Sequence, residues 1–203
     1  MKDTYLVDAI YTRAGRIVAF DSSLRVLNLG CGSQRYPNVT GIDCVPDSAA
    51  DIIHDLNVFP WPVPDSSVDV VLAFHILEHL DDLPRVMEEI YRMIKHGGRL
   101  IVEVPHFRSV GAFQDPTHKH FFTTKTMDYF CANRSQDTYR YTNAGFHLMN
   151  FWLGWPARSA NPFIAFLKCV GKRYNVFYDT YMSYLVPFPI IVFELATQKP
   201  ALS

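Results

Sequence analysis

Charge is scarce in this sequence and evenly balanced. Lys and Arg number 19 against 20 Asp and Glu, and charged residues make up only 19% of the 203 positions. No basic run is sustained, which argues against nucleic acid as an obligatory partner, because phosphate binding needs clustered Lys and Arg. Long apolar runs are missing too. The longest, Phe188 to Ala196, falls far short of the ~20 residues of a membrane span and is broken by Pro189 and Glu194. The N-terminus lacks the basic, apolar and small-residue segments of a signal peptide. Cysteine is sparse, at positions 31, 44, 131 and 169, with neither the paired spacing of a zinc site nor the density of a disulfide scaffold. The four read as reduced thiols of a cytoplasmic protein. Repeats, low-complexity tracts and domain linkers are absent as well. A chain of this length with 49% hydrophobic residues is expected to form one globular domain over residues 1–203.

The most informative stretch is Leu24 to Asp43, LRVLNLGCGSQRYPNVTGID. An apolar run of strand length breaks into Gly30-Cys31-Gly32, and a second run, Val39 to Ile42, ends on Asp43. A strand entering a glycine turn lets backbone approach a ligand closely, since no Cβ intervenes. An acid at the tip of the next strand lies beside that turn and can accept hydrogen bonds from two ribose hydroxyls. The pattern predicts a nucleoside-type cofactor in a doubly wound sheet. A dinucleotide site would need a third glycine where Arg35 stands, and an acid about 20 residues on. Asp43 comes much sooner, and the stretch from Gly32 to Thr40, interrupted by Pro37, is too short for a full crossover helix. No Lys-Ser or Lys-Thr pair follows the glycines, so a phosphate-cradling loop is also disfavoured.

LNLGCG followed by GID resembles the first two motifs of the class I S-adenosylmethionine-dependent methyltransferases, and more narrowly the small stand-alone members in which the first helix is nearly deleted. The resemblance continues. Val68 to Ile76 is nearly all apolar, as a parallel strand buried on both faces should be, and DVVLAFHILEHL resembles the fourth motif of that superfamily. Asp81 to His96 reads as a helix, with acids at its start, a stripe of Leu83, Val86, Ile90 and Ile94, and a Gly97-Gly98 stop. The strand RLIVEVP, Arg99 to Pro105, follows in the same order as in the family. The resemblance implies a Rossmann-like, doubly wound, mostly parallel seven-stranded α/β sheet with an antiparallel last strand. It also implies S-adenosyl-L-methionine as cofactor, with S-adenosyl-L-homocysteine as product. Gly30, Cys31 and Gly32 would lie under the methionine part, Asp43 would hold the ribose, and Asp55 with Leu56 would meet the adenine. His75, near the carboxyl end of its strand, is placed for ligand contact.

Other segments say less. Residues 1–23 carry Leu6, Ile10, Ala14 and Ile17 at helical spacing and are expected to form an N-terminal helical segment. Residues 24–105 then form the cofactor-binding core, with Asp51 to Leu56 as a third short strand. Residues 106–203 supply an acceptor-side loop, a short helix from Thr123 or Thr124 through Cys131, further helix over 160–185, and final strands over Gly145 to Trp152 and Ile190 to Ala196. Aromatic residues crowd this second half and suggest a walled acceptor pocket or a subunit interface, so a homodimer is among the assemblies it allows.

Function is read from the second half's histidines. PHFRSVGAFQDPTHKHFFTTKTMDYF gathers His106, Asp115, His118 and His120, and DPTHKHFFT resembles a string that recurs in the short-helix methyltransferases. Leaving the sheet at the same edge as His75, these residues are expected to line the site of a small-molecule acceptor. A hydroxyl acceptor must lose its proton, and His75, His106, His118 and His120 are the candidate bases. A metal held by Asp115, His118, His120 or His106 is the rival reading. It is disfavoured because fixed ligand spacing is absent and methyl transfer from a sulfonium demands no metal. A non-catalytic cofactor-binding or scaffold protein on the same fold is the alternative of a different class.

Overall fold

The computed structural model describes residues 11, 12, 15, 16, 20–132, 141–154, 159 and 161–199. Two short strands, β1 (Tyr11–Thr12) and β2 (Gly15–Arg16), pair antiparallel. The helical reading of residues 1–23 is therefore corrected at these positions, where aromatic Tyr11 and β-branched Thr12 favour a strand. Leu6, Ile10, Ala14 and Ile17 lie outside the described residues.

The remaining strands form one sheet. They are β3 (Val26–Leu29), β4 (Val39–Asp43), β5 (Ile52–Ile53), β6 (Val68–Phe74), β7 (Ile94–Pro105), β8 (Phe146–Leu153) and β9 (Ile190–Thr197), in the spatial order β5-β4-β3-β6-β7-β9-β8. Pairings from β5 to β7 are parallel. β9 runs antiparallel to both β7 and β8, between which it is inserted. The expected mostly parallel seven-stranded sheet with an antiparallel last strand is what the chain forms.

No helix separates β3 from β4; turns alone span residues 30–38. The first crossover helix is instead α1 (Leu83–Met93), which begins later than expected, because Asp82 caps it by accepting a hydrogen bond from the Arg85 amide at 3.1 Å. Such a cap stabilises a helix by about 1 kcal/mol. The helix also ends earlier, since Ile94 is already extended and Lys95 and His96 open β7. Its inner stripe of Val86, Met87, Ile90 and Met93 is fully buried against Val71, Ala73 and Val102 of the sheet. Burial of each large side chain contributes roughly 1.5–3 kcal/mol. On the opposite face Val26, Val70, Leu72, Phe74, Ile101 and Val192 pack together with Phe20.

Beyond β7 come a one-turn helix α2 (Gly111–Gln114), a 3-10 turn over Thr126–Phe130 where a short helix was expected, α3 (Pro162–Arg173) and α4 (Asn175–Thr180). The third strand is shorter than expected, covering only Ile52–Ile53. Cys31, Cys44, Cys131 and Cys169 are all free thiols. Among the described residues no helix is long and apolar enough to cross a membrane.

Candidate functional site

Two features lie side by side at the carboxyl edge of the sheet. The first is the glycine turn after β3. Gly30 and Gly32 have φ of +59° and +53°, the left-handed region that only glycine enters without strain. The Gly32 amide donates to Asp43 Oδ2 at 2.8 Å, and the Val45 amide donates to Asp43 Oδ1 at 3.0 Å. These bonds fix the Asp43 carboxylate at the tip of β4, with a lone pair on each oxygen still unused. Cys31 turns the other way. Its buried thiol packs where a Cβ on Gly41 would come within 2.8 Å of Sγ, and burial, aided by the Asp43 charge, pushes the thiol pKa up. Cys31 thus supports the turn from within and offers a ligand no side-chain contact.

β5 delivers Asp55 and Leu56 to the same edge, because the His54 amide bonds the Asp43 carbonyl at 2.9 Å. Asp55 is exposed, and its Oδ1 accepts from the Asn57 amide at 2.9 Å, so it shapes a turn. The buried Leu56 accepts from Trp61 Nε1 at 3.1 Å, which anchors this loop on the core.

The second feature is a cavity of about 590 Å³ lined by His75, Glu78, His79, Ser109, Gln114 and His118, with Asp115, Pro189 and Ile190 around them. That volume suits a small molecule. At the end of β6, His75 adopts φ +53°, a conformation that costs a non-glycine residue about 1–2 kcal/mol. The twist sets its ring between two buried acids, Nε2 at 2.9 Å from Glu103 Oε1 and Nδ1 at 3.3 Å from Glu78 Oε1. Burial opposes the charged ring, but the hydrogen bonds to Glu103 and Glu78 outweigh it and push its pKa up to about 9. Carboxylates only accept, so both ring nitrogens donate and His75 is an imidazolium at neutral pH. The expectation of His75 as a base is corrected on that ground.

The other three histidines part company. His106 is wholly buried, with Nε2 3.0 Å from Asp179 Oδ1 of α4 and Nδ1 accepting from the Arg108 amide. Asp179 Oδ2 in turn accepts from the Thr124 amide and hydroxyl, at 3.0 and 2.6 Å. His120 holds the turn after β6, its ring Nε2 on the Leu80 carbonyl at 2.8 Å and its amide on that of Glu78. Neither lines the cavity, so the expectation that His106 and His120 act on an acceptor is corrected: both are loop fastenings. His118 does line the cavity, with Nδ1 on the Ala112 carbonyl at 3.0 Å. His79, which the sequence suggests only as orienting the loop after β6 together with Glu78, stands against it, the two rings edge-to-face at 4.6 Å. Glu103, Ser109 and Asp179 were missed, because they meet the site through long-range packing.

A second cavity, about 490 Å³, opens among Leu24, Asn38, Pro62 and Ser67 at the amino ends of the strands. Ligands of such sheets bind at the carboxyl ends, which assigns the chemistry to the His75 side.

Comparison with known proteins agrees with this geometry. Residues 9–102 match the family described as Methyltransferase domain. A "Probable S-adenosylmethionine-dependent methyltransferase" of Mycolicibacterium smegmatis is 38% identical over 72 residues, 36% of this chain and 23% of that protein. A malonyl-[acyl-carrier protein] O-methyltransferase of Pectobacterium atrosepticum is 30% identical over 93 residues, 38% of this chain and 37% of that one. The chain thus spans well under half the length of these relatives. A crystal structure of a SAM dependent methyltransferase from Archaeoglobus fulgidus shares the fold with a TM-score of 0.54 at 17% identity, over 86% of each chain. Residues 9–102 thus carry a likeness to the S-adenosylmethionine-dependent methyltransferases, and the glycine turn within them fits the cofactor expected from the sequence. Around Gly32 there is open space where a Cβ would stand, and Asp43 is pinned by two amides with accepting capacity to spare. The glycine turn is braced by Ile76, whose Cδ1 would lie 2.5 Å from a Cβ on Gly30.

Proposed function

We propose that this protein transfers a methyl group from S-adenosyl-L-methionine to a small, polar acceptor at oxygen, in the cavity beside His75. The observation that carries the reading is the contiguity of the two features: Ile76 packs on Gly30 while its neighbour His75 lines the cavity. In this reading Asp43 holds the ribose hydroxyls, the exposed carboxylate of Asp55 and the Leu56 amide meet the adenine, and the turn at Gly30 and Gly32 lies under the methionine part. Bound there, the cofactor supplies a methyl group on a sulfonium that already carries its leaving group. The protein's task is then alignment and exclusion of water, and holding two reactants in line removes several kcal/mol or more of the barrier.

The acceptor's polarity is argued from orphaned atoms. Glu78 Oε2 and Ser109 Oγ are buried without a hydrogen-bond partner, and buried polar groups are seldom left so unless a ligand completes them. An oxygen acceptor is favoured because it must shed a proton, and the cavity holds ring nitrogens able to take one. The Nδ1 of His118 faces a carbonyl and must be its protonated nitrogen, which leaves Nε2 bare. His75, as an imidazolium between acids, keeps the rim in place. The name of the O-methyltransferase relative supports the same acceptor atom.

The test is calorimetry with S-adenosyl-L-homocysteine, followed by release of that product from S-adenosyl-L-methionine in the presence of hydroxyl-bearing small molecules. Cofactor binding with acceptor-dependent release supports the proposal. Cofactor binding with no turnover of any acceptor favours a non-catalytic binding protein, and absence of cofactor binding overturns both.

A further inference from the structure

The hydrogen bonds around the cavity determine where its protons are. Thr117 Oγ donates to Asp115 Oδ1 at 2.7 Å, and the Thr117 amide donates to the same oxygen at 2.9 Å. With its own proton committed to Asp115, the Thr117 hydroxyl can only accept from His79 Nδ1, 2.8 Å away. His79 is therefore protonated at Nδ1, and in the neutral ring its Nε2 carries the lone pair. His118 reaches the same state by another route, since Nδ1 faces the Ala112 carbonyl at 3.0 Å, an atom that cannot donate.

The third partner is Glu78. It is only 1% exposed, Oε1 is engaged by His75, and Oε2 has no hydrogen-bond partner. One donor atom from each of Glu78, His79 and His118 lies within 4.8 Å of the other two. Bonds of about 2.0–2.2 Å to a common ion set donors roughly 3–3.5 Å apart, so modest side-chain rotation closes the set. Two imidazoles and one carboxylate are the protein donors of open transition-metal sites, which leave coordination positions for substrate. Each imidazole is also held through its far nitrogen by an oxygen acceptor, as metal-ligating histidines are.

We propose that Glu78, His79 and His118 bind a divalent transition-metal cation on the wall of the cavity, with an open position for an oxygen of the acceptor. This differs from the set weighed on sequence alone, since His106 and His120 are committed elsewhere and Asp115 acts through Thr117. The acceptor's place in it rests on the function proposed above, but metal binding is measured without any acceptor, so the two readings can fail separately. A cation bound there would take up the His118 lone pair, so in the loaded protein the acceptor's proton would leave a metal-held oxygen for solvent and not for that ring.

The experiment titrates Zn²⁺, and in parallel Co²⁺ followed by visible absorption, into untagged, chelator-treated full-length protein. One equivalent should bind. His79→Ala and His118→Ala should each weaken binding by about 10-fold or more, and Thr117→Val, which frees the His79 ring and also removes the hydroxyl bond to Asp115, should weaken it by roughly 10–100-fold. Glu78→Gln should weaken it as well. His96→Ala is the control, because that ring sits on the Lys199 carbonyl at the far edge of the sheet, and it should bind metal like the wild type. A circular-dichroism melt of each variant reports that it is folded. Failure of folded wild-type protein to bind metal, or equal affinity in the His79→Ala and His118→Ala variants, overturns the proposal. One equivalent bound without turnover of any hydroxyl acceptor upholds the metal site and counts against the proposed function.

Discussion

Ile76 fills the space that a side chain on Gly30 would need, its Cδ1 2.5 Å from where that Cβ would lie. The two residues belong to different motifs, one closing β3 and the other following β6. Their contact makes the cofactor turn and the cavity rim parts of one packed unit.

Substitution of Gly30 by Ala should therefore act twice. The left-handed backbone alone costs about 1–2 kcal/mol, and the overlap with Ile76 displaces the rim. Loss of S-adenosyl-L-homocysteine affinity is expected, with partial recovery in the Gly30→Ala, Ile76→Ala double variant. A double-mutant cycle by calorimetry measures the coupling, and strict additivity would show that the contact transmits nothing.

Asp43→Ala should weaken binding of the same ligand by roughly 1.5–3 kcal/mol, the range for hydrogen bonds to a charged group. The Gly32 and Val45 amides lose their acceptor at the same time, so a circular-dichroism melt must accompany the titration. Unchanged affinity in a folded variant would remove Asp43 from the cofactor site.

His106→Ala is expected to behave as a fold variant. It removes one partner of the buried Asp179, and leaving such a group underbonded costs about 1–3 kcal/mol. Chemical denaturation should reveal the loss while cofactor affinity of the folded protein stays close to wild type. A catalytic defect with undiminished stability would contradict the fastening role.

His75 makes stability depend on pH in a definite direction. Its pKa is raised from the ordinary 6.5 to about 9, so the folded state holds the proton more tightly than the unfolded chain. The stabilisation is fully present below about pH 6.5 and is lost as pH rises through 9. In chelator-treated protein, the stability advantage of wild type over His75→Gln should shrink across that window. An advantage that grows with pH would mean that the ring is neutral.

How much of this was legible beforehand depends on how local each signal is. Gly30, Gly32 and Asp43 are read from twenty consecutive residues, and the apolar run of β6 declares a buried parallel strand by itself. The histidines are different. His106, His118 and His120 stand within fifteen positions of one another, yet their roles are set by Asp179, the Ala112 carbonyl and the Leu80 carbonyl respectively. Asp179 lies 73 residues from its partner, and no pattern in the sequence announces it. His79 reads only as orienting its loop, because its significance comes from His118 across the cavity. The extended pair at Tyr11 and Arg16 was hidden by residues that recur at helical spacing, and Lys95 and His96 resembled a helix end because Gly97 and Gly98 follow.

The position of β9 bears on how the chain can assemble. Because β9 hydrogen-bonds to β7 on one side and β8 on the other, a strand that follows both of its neighbours in the chain becomes an interior strand. Until Ile190 to Thr197 arrive, β7 presents an unpaired edge and β8 has no neighbour in the sheet. Such edges invite pairing with other chains, and non-local pairing is slow to form. Without β9, therefore, the sheet beside the cavity is left open along β7 even where the glycine turn is in place.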